Sequence, residues 1–181
     1  MPRFTKIVFV SSVLTCSVAL ADEPPKPSQQ ILERAKATAG TWKCEGTSPG
    51  MDGKEGKLAG TYSSKLDLDG FWIHTSFNGG MVGGKTNLKF KFESYATFDP
   101  GLEKWREVFV DNFGGQMVGT AAAMKDGTLD TTSDSQDLMG KGTMTDHLDL
   151  GDPTKGAHLW GEGSHDGGKT WAKLYDMTCK K

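Results

Sequence analysis

Over most of this chain apolar side chains alternate with polar ones, and one stretch near the start departs from that period of two. Ile31, Leu32, Ala35 and Ala39 recur at helical spacing, with Ser28 placed to cap the segment and Gly40 to end it, which predicts a helix over 29–38. After Gly40 the period becomes two, broken by glycine turns. Strands are predicted at 41–46, 57–67, 71–77, 88–98, 104–113, 115–124, 128–133, 142–150, 158–163 and 170–178. Asp69-Gly70 and Asp126-Gly127 read as two-residue hairpin turns, Asp99-Pro100-Gly101 as a turn, and Asn78 to Gly84 as a flexible connection. About ten short strands with almost no helix between them predict an antiparallel barrel or sandwich, and the run of sequential hairpins favours an up-and-down meander. No repeat of fixed period is present, which argues against a propeller.

Composition sharpens this picture at two points. The chain has 181 residues, enough for one domain, and 24 glycines, roughly twice the usual share, as expected of a chain with many turns. Its formal net charge of -2 excludes a nucleic-acid binder that works through bulk positive charge. Residues 1–21 read as a secretory signal: Arg3 and Lys6 give a positive start, an apolar run follows, and Ala19-Leu20-Ala21 offers the small-x-small cleavage pattern. Val13-Leu14-Thr15 ahead of Cys16 is a poor lipobox, and the apolar run is short for a membrane span. The expected organisation is a signal peptide at 1–21, a proline-rich leader and helix at 22–39, and a barrel domain at 40–181. The expected location is periplasmic or extracellular, with no membrane span after cleavage.

Export leaves two cysteines, Cys44 and Cys179, which in an oxidising compartment read as a disulfide, with two free thiols as the alternative. Cys44 lies on the first predicted strand and Cys179 just past the last. In a closed meander those strands are neighbours, so a bridge would staple the seam. Neither cysteine has a Cys or His at metal-ligand spacing, and no metal is expected.

Gly40-x-Trp42 at the start of the first strand, directly after a short helix, resembles the opening of the calycin barrels, the lipocalin and fatty-acid-binding relatives. That resemblance implies that Trp42 closes one end of the barrel. More of the chain resembles the bacterial family catalogued as domain of unknown function (DUF) 1579. The similar features are Ala39-Gly40-Thr41-Trp42, Leu68-Asp69-Gly70-Phe71-Trp72, Tyr95-Ala96-Thr97-Phe98-Asp99, the strand from Trp105 to Asp111, and Asp166-Gly167-Gly168-Lys169-Thr170-Trp171. The likeness spans about 31–177 and implies an all-β, calycin-like barrel with no established activity. The opening Gly40-Thr41-Trp42-Lys43-Cys44-Glu45-Gly46 also resembles the nitrobindin group, which binds haem through a histidine near its C-terminal strands. The last strand here has no histidine, His158 is the only stand-in, and no cofactor is expected.

Candidate chemistry is sparse. Ser164-His165-Asp166-Gly167-Gly168-Lys169-Thr170-Trp171 matches the Asp-box pattern S-x-D-x-G-x-T-W once, which reads as a well-made hairpin with the Trp packed beneath it. His74, His147, His158 and His165 are scattered. His158, Trp160 and Glu162 share a strand face, as do Trp171, Lys173, Tyr175 and Met177. If such faces point inward, Trp72, His74, His158, Trp160 and Tyr175 would line a small-molecule pocket of aromatic walls with a few polar groups. Glu107 and Asp111 share a face of one strand and read as solvated surface groups. There is no nucleophile elbow, phosphate loop or metal motif. The sequence therefore points to an exported, non-enzymatic barrel with a small apolar or amphipathic ligand. A structural or interaction domain with a filled core is the alternative, and a hydrolase comes third.

Overall fold

In a computed structural model the described residues are 25–49, 54–82, 88–137, 140–151 and 156–181. The expected signal peptide and the first residues of the leader lie outside them. Helix α1 (Gln29–Thr38) leads into ten strands: β1 (Gly40–Pro49), β2 (Glu55–Asp67), β3 (Trp72–Val82), β4 (Leu88–Asp99), β5 (Lys104–Asp111), β6 (Gln116–Ala122), β7 (Thr128–Asp137), β8 (Gly140–Asp149), β9 (Ala157–Ser164) and β10 (Ala172–Lys180). Each strand pairs antiparallel with the next, and β1 pairs with β10, so the sheet closes into an up-and-down barrel. Closure leaves no unpaired sheet edge.

The seam is covalently fastened. Cys44 and Cys179 are register partners on β1 and β10, their Cα atoms 4.0 Å apart, and they form a disulfide across 135 residues of sequence. Both are buried and pack with Leu58, Phe77, Ala157 and Met177. A cross-link over so long a loop is worth about 4–5 kcal/mol in the chain-entropy account.

Helix α1 plugs one end. Ser28 caps it, its hydroxyl accepting from the Ile31 amide, and the chain leaves through Gly40 at φ +112°. Ile31 and Ala35 pack on Ile73, Ala96, Trp105, Ala121 and Leu129, where Ile31, Ile73 and Trp105 are each only 1% exposed. Truncating one of these to Ala is a change of about 2–5 kcal/mol. The buried face of α1 is Ile31, Arg34, Ala35 and Thr38, whereas Leu32 is exposed. The apolar spacing expected from Leu32 and Ala39 is therefore corrected: the i, i+3, i+4, i+7 face carries an arginine and a threonine inward. The Thr38 hydroxyl donates to the Arg34 carbonyl at 2.9 Å, which satisfies it within the helix.

Three local readings also change. The β2–β3 connection is a 3-10 turn, with Leu68, Asp69 and Gly70 all at positive φ between the paired Asp67 and Trp72, and so is longer than a two-residue hairpin. Asn78, Gly79 and Gly80 continue β3 as paired strand rather than flexible connection. Gly79 and its β2 partner Gly60 have a packing reason: a Cβ at either would overlap the Phe77 ring. Finally, β10 carries a bulge between Lys173 and Tyr175, which breaks the shared face expected for those two residues.

Candidate functional site: a cavity with a charged floor

Alternation fixes two faces for each strand, and the register decides which is inside. On β3 the inner set is Ile73, Thr75 and Phe77, all buried. Together the inner faces enclose a cavity of about 380 Å³, within the range of small-molecule sites. One wall is aromatic. Phe77 stacks on Phe92 at 5.7 Å, Phe92 lies 4.7 Å from Phe109, and Phe90 is 6.1 Å from Phe92. Across from them β7 contributes Thr131, Ser133 and Ser135.

The floor, next to α1, is polar and ionisable. Arg34 reaches in from the helix, its guanidinium 4.6 Å from the centre of the Trp105 ring and its Nη2 3.7 Å from the Glu107 carboxylate. Its Nε and Nη1 are buried without a hydrogen-bond partner among the described residues. The Tyr175 hydroxyl donates to Asp146 Oδ1 at 2.6 Å. Burial pushes the Asp146 carboxyl up to about 7, with the negative charge of Glu107 adding to the rise; the hydrogen bond from Tyr175 and the nearby His147 work against it. Burial likewise raises the Tyr62 phenol, opposed by Arg34 and by its hydrogen bond with Thr75. Tyr175 is raised further by burial and by Asp146. Gly161 is what lets this pair form: a Cβ there would stand 2.5 Å from Tyr175 Cε1 and 3.1 Å from Asp146 Oδ1.

Of the residues expected to line the pocket, Tyr175 is on the cavity wall. Trp72, His74, His158 and Trp160 stand on the outer face, because their inner-facing neighbours are Ile73, Thr75, Leu159 and Gly161. There they form stacks. His74 lies against Tyr95 at 4.7 Å and contacts Glu93 at 2.6 Å, and Trp72 meets Tyr95 edge-on. Trp160 is held between His147 at 4.7 Å and His158 at 4.5 Å, and the two imidazoles bond Asp130 and Asp176. The hydrogen bond to His158 holds the Asp176 carboxyl below its usual range, with Lys173 adding to the effect. Glu107 and Asp111, expected on the surface, face the cavity instead. Trp42 sits where α1 passes into β1, its indole N–H donating to the Thr38 carbonyl at 2.8 Å and the Lys181 ammonium over its ring.

The Asp-box turn is internally satisfied. Asp166 accepts from the Lys169 and Thr170 amides and from the Ser164 and Thr170 hydroxyls, the last at 2.6 Å, which draws its carboxyl down to about 2. Trp171 is exposed rather than packed beneath the hairpin, and its indole N–H donates to the Gly168 carbonyl. Among the described residues no group of His, Cys, Asp and Glu is arranged to hold a metal ion, and no helix is long and apolar enough to cross a membrane.

Sequence reasoning missed Arg34, Tyr62 and Asp146, and placed Glu107 on the wrong side of the wall. Arg34 did leave a signal, since it stands three residues after Ile31 and four before Thr38 on one helical face. A closed antiparallel barrel, plugged by an N-terminal helix and hollow within, is a calycin-like fold. The chain belongs to the family described as "Protein of unknown function (DUF1579)", which matches residues 25–151. Among solved structures it is similar to Rv2717c from M. tuberculosis, with TM-score 0.61 and 9% identity over 86% of this chain and 99% of that one. It is also similar to the S-type phycobiliprotein lyase CPES from Guillardia theta, with TM-score 0.58 and 11% identity over 83% and 92%. No curated protein matches it. At such identities the structural likeness speaks for the fold alone.

Proposed function

We propose that this is an exported binding protein that holds a small apolar or amphipathic ligand inside the barrel and does no chemistry on it. The observation that carries the reading is the cavity itself: about 380 Å³, walled by phenylalanines and ending in a compact polar floor. That combination suits a ligand with an apolar body and one polar end. It argues against the filled-core alternative, in which inward aromatics would close the interior. Export is supported by the pattern of residues 1–21 and by the buried disulfide, a bond that persists in oxidising compartments.

A second reading has one observation in its favour. Asp146 is held near neutrality inside a cavity, as a general acid or base would be, and one structural neighbour is named a lyase. The size of the cavity and its phenylalanine wall favour the binding reading.

The test is to produce the mature protein by export, purify it gently and titrate it with an apolar fluorescent dye, comparing native and denatured masses in parallel. Saturable dye binding, or an extra mass lost on denaturation, is expected. A bare polypeptide mass with no saturable dye site would sink the reading and leave a structural domain.

A further inference from the structure

The cavity floor has a charge imbalance that selects among ligands. Arg34 is the only arginine or lysine lining the cavity among the described residues, and it is engaged with Glu107 at 3.7 Å; the lining histidines His147 and His165 each face a carboxylate of their own, Asp130 and Asp137. The hydrogen bond to Asp146 comes from the neutral Tyr175 hydroxyl, and its strand neighbour His147 is paired outward with Asp130. Towards the far end Asp111 and Asp137 also line the cavity, the latter 3.6 Å from His165. Asp111 is occupied, since its Oδ1 accepts from the Phe113 and Gly115 amides.

Charges buried in a low-dielectric site are tolerated when they sum to zero. With Arg34 and Glu107 cancelling, an ionised Asp146 leaves the floor at minus one. An anionic head would raise the excess to two, or to one with Asp146 protonated. A cationic head brings it to zero with Asp146 ionised. The walls agree with a cation as well, since Phe77, Phe90, Phe92, Phe109, Tyr62 and Tyr175 offer ring faces around the space.

Resting on the binding function proposed above, we propose that the ligand is an amphipath with a cationic amine head, which docks on the Asp146 carboxylate beside Glu107 while its apolar body lies along the phenylalanine wall. Asp146 is faced by Tyr175 from β10 and Glu107 from β5, with His147 next to it on β8; Tyr62 from β2 lies near Tyr175, and Arg34 from α1 lies near Glu107 and Tyr62. Docking the amine requires the ionised carboxylate. Binding therefore releases the Asp146 proton at acid pH and tightens as pH rises towards 8.

Calorimetric titration of the full mature protein with decylamine, decanol and decanoate tests this with matched tails. Decylamine is expected to bind about tenfold to a hundredfold tighter than decanol at pH 8, the range of one charge-assisted hydrogen bond. That advantage shrinks at pH 5.5 and is lost in Asp146→Asn, an isostere that still accepts from Tyr175. Glu107→Gln weakens the amine and leaves the alcohol unchanged. Equal affinities for the three, or decanoate as the tightest, would overturn the amine assignment while leaving the ligand-carrying barrel standing. Failure of all three together with the apolar dye overturns both. If Asp146→Asn does not fold, as judged by thermal melting, the wild-type ranking and its pH dependence decide alone.

Discussion

The inner and outer surfaces of β8, β9 and β10 carry similar chemistry at one level of the wall, with opposite consequences. Inside, Asp146 and Tyr175 meet over Gly161; outside, the adjacent His147, Trp160 and Asp176 belong to the imidazole–indole stack. Both layers pair an acid with an aromatic group at short distance. The outer acids face water, with Asp130 68% exposed, so their ion pairs are screened. The inner acid is largely withdrawn from water, and burial holds its carboxyl near neutrality. Position relative to the barrel wall, more than residue type, decides which of the two can serve as a site.

The sharpest way to break that contrast is Gly161→Val. Its side chain would intrude on Tyr175 and Asp146, and a loss of about 2–3 kcal/mol is expected from overpacking, together with loss of dye binding. An unchanged melting temperature would mean that the inner pair has room to move. Next is Asp146→Asn. The native state keeps the Asp146 proton up to about pH 7, whereas the unfolded chain releases it near 3.8, so the native state binds more protons between those values. Stability due to this group therefore falls as pH rises through that window. The asparagine variant should gain about 1–2 kcal/mol at pH 8, the full shift being discounted because water can enter the cavity, and little at pH 4. A gain that does not vary with pH would show that the carboxyl is not the titrating group.

On the outer side Trp160→Ala removes the centre of the stack and should cost about 1 kcal/mol with dye affinity unaltered. Altered dye affinity would show that the two layers are coupled through the wall. The smallest effect is expected for Asp130→Asn, within about 0.5 kcal/mol by urea unfolding. A larger loss there would mean that the outer ion pairs are poorly screened.

Much of the barrel was legible because period two is a local property. The helix, the ten strands and the meeting of Cys44 with Cys179 follow from alternation, turn residues and the adjacency of first and last strands in a meander. The site was much less legible. Alternation separates Trp72 and His74 from Ile73 and Thr75 without saying which set faces in, and the answer depends on pairing across the whole sheet. The bulge at Lys173–Tyr175 changes parity within one strand, so Tyr175 faces the cavity while Lys173 reaches Asp176 outside. An inward Arg34 was not legible because charged residues rarely face a core, and here an aromatic ring and a carboxylate receive it.

The pairing of β1 with β10 also sets an order in time. Neighbouring hairpins can assemble while the chain is still emerging, but the first strand has to wait for the last. Until β10 arrives, β1 and β9 each present an unpaired edge, and Cys44 has no partner. A chain delivered N-terminus first therefore passes through an open, edge-exposed sheet before it can close. The enclosed cavity comes into being only at that final pairing, so a ligand that needs the whole wall can be captured only by the finished chain.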